Sequence, residues 1–119
     1  MTLSHVPTLG ERSATDGDRR DAVERCRVLL AREGFAVWVV APSDGRSGRS
    51  PELLAENGAR VLRVFVLLDR DVDAPGTRSR IRASLREGET RVCVPWPLRW
   101  RMLSNLDRWG LSGVSVAGV

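Results

Sequence analysis

The sequence predicts an α/β fold, a mixed β-sheet flanked by helices with its elements in the order α-β-β-β-α-β. Three observations carry that prediction. Apolar residues Ala22, Val23, Cys26, Leu29 and Leu30 recur at helical spacing. The run Phe35 to Ala41 is rich in β-formers and too short for a helix. Two further apolar runs flank Asn57-Gly58, the dipeptide that most favours a tight hairpin.

Taken in order, residues 1–17 mix Pro, Gly, Ser, Thr and charge without periodicity. They are expected to be a flexible leader, with His5 inert in it and residues 18–119 forming a single domain. Asp16 or Asp18 can cap the first helix, and Gly34 stands where a C-cap glycine belongs. Residues 42–51 form a polar, glycine-punctuated loop after the first strand. Leu53-Leu54-Ala55 and Val61 to Leu68 read as two antiparallel strands. Asp69 to Gly76 turns the chain, and Thr77 is placed to cap a short helix that runs through Ile81 and Leu85 to Gly88. Val92-Cys93-Val94 is a strand stopped by Pro95 and Pro97. Residues 98–109 hold Trp100, Met102, Leu103, Leu106 and Trp109, a spacing that fits strand and helix equally. Val114 and Val116 are placed on a closing edge strand, and no internal repeat is present.

Composition narrows the function classes. With 119 residues, 42% of them hydrophobic, the chain can bury a modest core. No stretch approaches the roughly 20 consecutive apolar residues of a membrane helix. The opening residues, Met1 to Pro7, lack the basic start and apolar core of a signal peptide. Cys26 and Cys93 lie far apart without the spacing of a metal or redox pair, so they are expected to be reduced core thiols in a cytoplasmic protein. The net charge is +4, and all 19 basic residues are arginine. Arginine's planar fork suits phosphate, and without lysine no compact, titratable ammonium is on hand for catalysis. The balance points to a polyanionic partner.

Several strings resemble the archaeal-type Holliday junction resolvases, which have the restriction-endonuclease-like fold. Ala22-Val23-Glu24-Arg25 and Leu29 to Val37 are similar to that family's opening helix and first strand, and Pro51 to Gly58 to its second strand and hairpin turn. Arg91 to Val94 and Trp100-Arg101 match later parts more loosely, so the resemblance covers about residues 20–105. It implies a Mg²⁺-dependent endonuclease acting on four-way DNA junctions as a homodimer. In the family a helix glutamate, a strand aspartate and the glutamate of a Glu-x-Lys on the third strand hold the metal, with the lysine beside it. Carboxylates suit a hard cation, and the lysine steadies the attacking hydroxide. Carried onto this chain, the helix glutamate falls on Glu24, the strand aspartate on Glu52 and a loop serine on Ser43. The Glu-x-Lys pair falls on Phe65 and Leu67, and neighbouring registers offer only Val64, Val66 and Leu68.

The resulting expectation is a catalytically degenerate resolvase relative that binds structured or branched DNA without a cofactor. Arg25 beside Glu24, Arg46 and Arg49 in the loop, and Arg78, Arg82 and Arg86 on one face of the short helix are its phosphate-binding candidates. The alternatives are an active Mg²⁺ endonuclease using Glu24, Glu52 and a displaced Asp69, and an interaction subunit with no role on DNA. The late tryptophans, Trp96, Trp100 and Trp109, are read first as core. A dimer interface or a base-stacking platform at Arg99-Trp100-Arg101 is the other use open to them.

Overall fold

The structure is a computed structural model that describes the backbone of residues 6–40 and 51–119, with side chains from residue 17 onward in those ranges. Its elements are α1 (Val6–Arg32), β1 (Ala36–Val39), β2 (Leu53–Asn57), β3 (Arg60–Val66), α2 (Asp69–Val72), α3 (Pro75–Glu87), β4 (Glu89–Val94), α4 (Arg99–Trp109) and β5 (Val114–Gly118). A 3₁₀ turn, Trp96–Leu98, leads into α4.

The five strands lie in chain order in one sheet. β1, β2 and β3 pair antiparallel, and β3, β4 and β5 pair parallel. The hairpin predicted at Asn57-Gly58 joins β2 to β3. Asn57 pairs with Arg60, so Gly58 and Ala59 form the turn, and Gly58 takes a φ of 66° that a side chain would strain. Parallel pairing needs a crossover, and α3 supplies the one between β3 and β4.

Alternation along β3 divides the core between the two faces of the sheet. Leu62, Val64 and Val66 pack under α1 with Ala22, Cys26, Leu30, Leu53 and Ala55. Phe65 and Leu67 turn the other way and pack with Ile81 of α3, Met102 and Leu106 of α4, and Val92 and Val94 of β4. The result is three layers, with α1 on one side of the sheet and α3 with α4 on the other.

Several expectations change. α1 starts at Val6, well before Asp16 and Asp18, and part of the stretch expected as leader is helical. Its upstream turns lack an apolar stripe, so no periodic signal marks them. α3 starts at Pro75, whose fixed φ suits a first helical position. Thr77 is therefore inside the helix, where its hydroxyl donates to the Asp71 carbonyl at 2.6 Å. The turn at Asp69 contains the short α2, whose Asp71 carboxylate accepts the Leu68 N–H at 2.9 Å. Residues 99–109 are helical because Met102 and Leu106, four apart, both reach the core.

The cysteines also differ from expectation. Both are fully buried, as a core reading requires, but they are joined in a disulfide that ties α1 to β4, with Cα atoms 6.4 Å apart. The inference to a cytoplasmic protein drew on reduced thiols and loses that support. Among the described residues, no helix is long and apolar enough to cross a membrane.

Candidate nucleic-acid interface

The antiparallel register fixes what stands beside Glu52. Leu53 pairs with Val64, so one step outward Glu52 lies opposite Phe65, and paired residues share a face of the sheet. The Glu52 carboxylate accepts the Val66 N–H at 2.8 Å through Oε1 and an Arg80 Nη2 hydrogen at 3.2 Å through Oε2. The Arg80 guanidinium also lies over the Phe65 ring, 4.9 Å from its centroid. Phe65 and Leu67 themselves have no exposed surface. Where the resemblance would put an acid and a lysine there is a packed aromatic ring under an arginine.

The other acids are dispersed. Glu24 is exposed on α1, on the opposite side of the sheet from Phe65 and Leu67, and takes two hydrogen bonds from Arg27 at 3.0 and 2.5 Å. Arg27 holds the Glu24 carboxyl below its ordinary range chiefly through those bonds. Asp69 falls beyond the end of β3, so α2 and not strand alternation places it, and it accepts from Arg101 at 3.2 Å. Each of the three acids thus answers a different arginine. Among the described residues no group of three acidic, His or Cys side chains converges as a metal site. A hard divalent ion takes about six oxygen ligands, and a single carboxylate already bonded to Val66 and Arg80, beside an apolar ring, does not fit one. Ser43, Arg46 and Arg49 lie outside the described residues.

The basic candidates form a clearer surface. Thr77, Ile81 and Ser84 turn one side of α3 inward, and Arg78, Arg82 and Arg86 stand exposed on another. None of the three is paired with an acid among the described residues. Arg78 and Arg82 border a shallow hollow with Asp73 and Trp109. Arg25 is exposed on α1 and lines a cleft at the carboxyl ends of β3 and β4, away from that helix. The structure therefore separates Arg25 from the α3 arginines.

The structure gives two groups surroundings that local spacing does not show. Arg80 shares a helix with the candidate arginines, but its role depends on β2 and β3 being neighbours, which no local spacing reveals. Trp96 and Trp100 are not core: they are 64% and 75% exposed. Trp109 does pack against the α3–α4 side of the sheet, as expected.

A five-stranded mixed sheet, antiparallel at one edge and parallel at the other with helices on both faces, has the architecture of the restriction-endonuclease-like nuclease fold. Among solved structures, the chain is similar to Hjc, a Holliday junction resolvase from the hyperthermophilic archaeon Archaeoglobus fulgidus. The TM-score is 0.51 at 20% identity, and the match covers 63% of this chain and 66% of that one. At that identity the likeness shows the fold alone. No family model and no curated protein matches the chain.

Proposed function

We propose that this chain binds structured or branched DNA, four-way junctions included, through a resolvase-like nuclease fold that does not cut it. The observation that carries the reading is the burial of Phe65 and Leu67 opposite Glu52, with Arg80 closing over the ring. Hydrolysis by this fold's chemistry needs a carboxylate and a cation open to water at those positions. Binding is supported by the exposed stripe Arg78, Arg82 and Arg86 and by the resolvase-like fold. A fork-shaped guanidinium can hold phosphate oxygens in pairs, so such a stripe positions a DNA backbone without reading its sequence. A homodimer, the state the resemblance implies, would present two such stripes related by a two-fold axis.

A gel-shift titration of the purified protein with a labelled four-way junction tests the reading. The expected result is a retarded complex that a neutral polymer does not displace and that dissolves as salt rises. Equal indifference to junction, duplex and neutral polymer would leave the fold without this function and favour an interaction subunit.

A further inference from the structure

A second feature lies apart from the α3 arginines, at the carboxyl ends of β3, β4 and β5. Trp96 sits in the 3₁₀ turn between Pro95 and Pro97, and Trp100 lies in the first turn of α4. A globular protein seldom leaves two indoles this exposed four residues apart, because each carries a large apolar area. The Arg99 guanidinium joins them, 5.8 Å from the Trp96 ring and 5.5 Å from the Trp100 ring.

Trp96 is held in place. Its backbone N–H donates to the Val119 carbonyl at 3.0 Å, and one side of its ring rests on Gly118. A Cβ at position 118 would come within 1.9 Å of the Trp96 Cε3 atom, so only glycine leaves the ring room there. The anchored backbone and the contact with Gly118 restrict the ring before any ligand arrives, which lowers the ordering cost of stacking on it. Arg25 and Arg70 line the adjacent cleft, of about 640 Å³, with Asp18 and Asp69. Asp69 is engaged by Arg101, whereas Arg25, Arg70 and Arg99 have no acidic partner among the described residues.

We propose that Trp96 and Trp100, bridged by Arg99, form a stacking site for the unpaired bases of single-stranded nucleic acid. Indole and guanidinium planes both stack on bases, and the unpaired arginines supply positive charge for the strand's phosphates. That charge favours a nucleic acid over a second copy of this basic chain, which would bring like charge to the patch. Sharing one guanidinium keeps both rings within reach of one short stretch of strand. The inference goes beyond the junction-binding reading, because duplex DNA keeps its bases stacked and offers none to these rings.

The test is fluorescence anisotropy of a labelled oligothymidylate and a labelled blunt duplex, titrated with wild-type protein and three variants. Trp96→Ala with Trp100→Ala is expected to weaken oligothymidylate binding by about 5- to 150-fold per stacked base and duplex binding by less than about twofold. Trp96→Phe with Trp100→Phe, which keeps aromatic faces, should retain most of the single-strand affinity, and Arg99→Ala should lose part of it. Unchanged oligothymidylate binding in the double alanine variant would overturn the proposal, as would equal losses on both probes. A fall in sedimentation mass in that variant would overturn it too, by making the patch an interface between copies. Loss of junction binding in the wild type, with oligothymidylate binding intact, would remove the function proposed above and leave this site standing.

Discussion

Replacing Arg78, Arg82 and Arg86 together with alanine probes the proposed DNA contact most selectively. The three residues are four apart on α3, so at 1.5 Å per residue they rise about 6 Å from one to the next along the exposed face. Thr77, Ile81 and Ser84, which anchor the helix, are untouched, and alanine is the better helix former. Stability should therefore change by no more than about 0.5 kcal/mol, which a circular dichroism melt can verify. Binding should change much more. Each guanidinium that neutralises a phosphate of B-DNA adds about 0.9 to the slope of log affinity against log salt, so three contacts are worth about 2.7. Between roughly 50 and 200 mM salt, the gap between wild type and variant should then shrink by about 40-fold. Anisotropy of a labelled four-way junction across a salt series reads this directly. Parallel lines, with slopes differing by less than one, would mean that these arginines are a solvated face and that DNA, if bound, lies elsewhere.

Other expectations concern the scaffold. The disulfide closes a loop with a sequence separation of 67, and chain entropy gives it about 4 kcal/mol; urea titration with and without reductant checks this, and coincident curves for oxidised and fully reduced protein would contradict it. Phe65→Ala should cost about 3–5 kcal/mol because it empties a fully buried site between the sheet and its covering helices, a loss that denaturant unfolding would show. Asp73 and Glu89 are held below their ordinary values of 3.8 and 4.5, chiefly by hydrogen bonds from Arg101 and Arg60. A carboxyl depressed in the folded state stabilises above its unfolded value and loses that effect as pH falls through its folded one. Melting temperature should therefore drop on acidification below about pH 4.5, and Arg101→Ala should blunt the part due to Asp73.

Where local chemistry decides structure, the sequence is legible. Asn57-Gly58 marks the hairpin because Gly58 must adopt a positive φ. Gly34, at φ 96°, ends α1 where the helical pattern stops, with the Phe35 N–H returning to the Leu30 carbonyl. The apolar run Val61 to Leu68 after the hairpin turn shows a strand, but not which face meets which helix. Residues 98–109 fit two periods equally, and only the packing of Met102 and Leu106 settles the helix. The Cys26–Cys93 link joins residues whose spacing says nothing about their meeting, so no local pattern marks it.

The candidate site divides in the same way. Glu52, Phe65 and Leu67 can be aligned from sequence because a hairpin fixes their register. That Arg80 closes over Phe65 and binds Glu52 depends on where α3 lands, which no local pattern encodes. Trp96 and Trp100 look like core because large apolar residues usually are, and their exposure is set by the two prolines and the glycine that hold Trp96 at the sheet's end.

The most direct measurement is a cleavage assay on a labelled four-way junction at protein concentrations that saturate binding, with Mg²⁺ and then Mn²⁺ added. A pocket filled by Phe65 and Leu67 beneath Arg80 predicts a stable complex and intact strands with either ion. Metal-dependent product that disappears in a Glu52→Gln variant would contradict that prediction, because it would require water and a cation to reach a place the packed ring excludes.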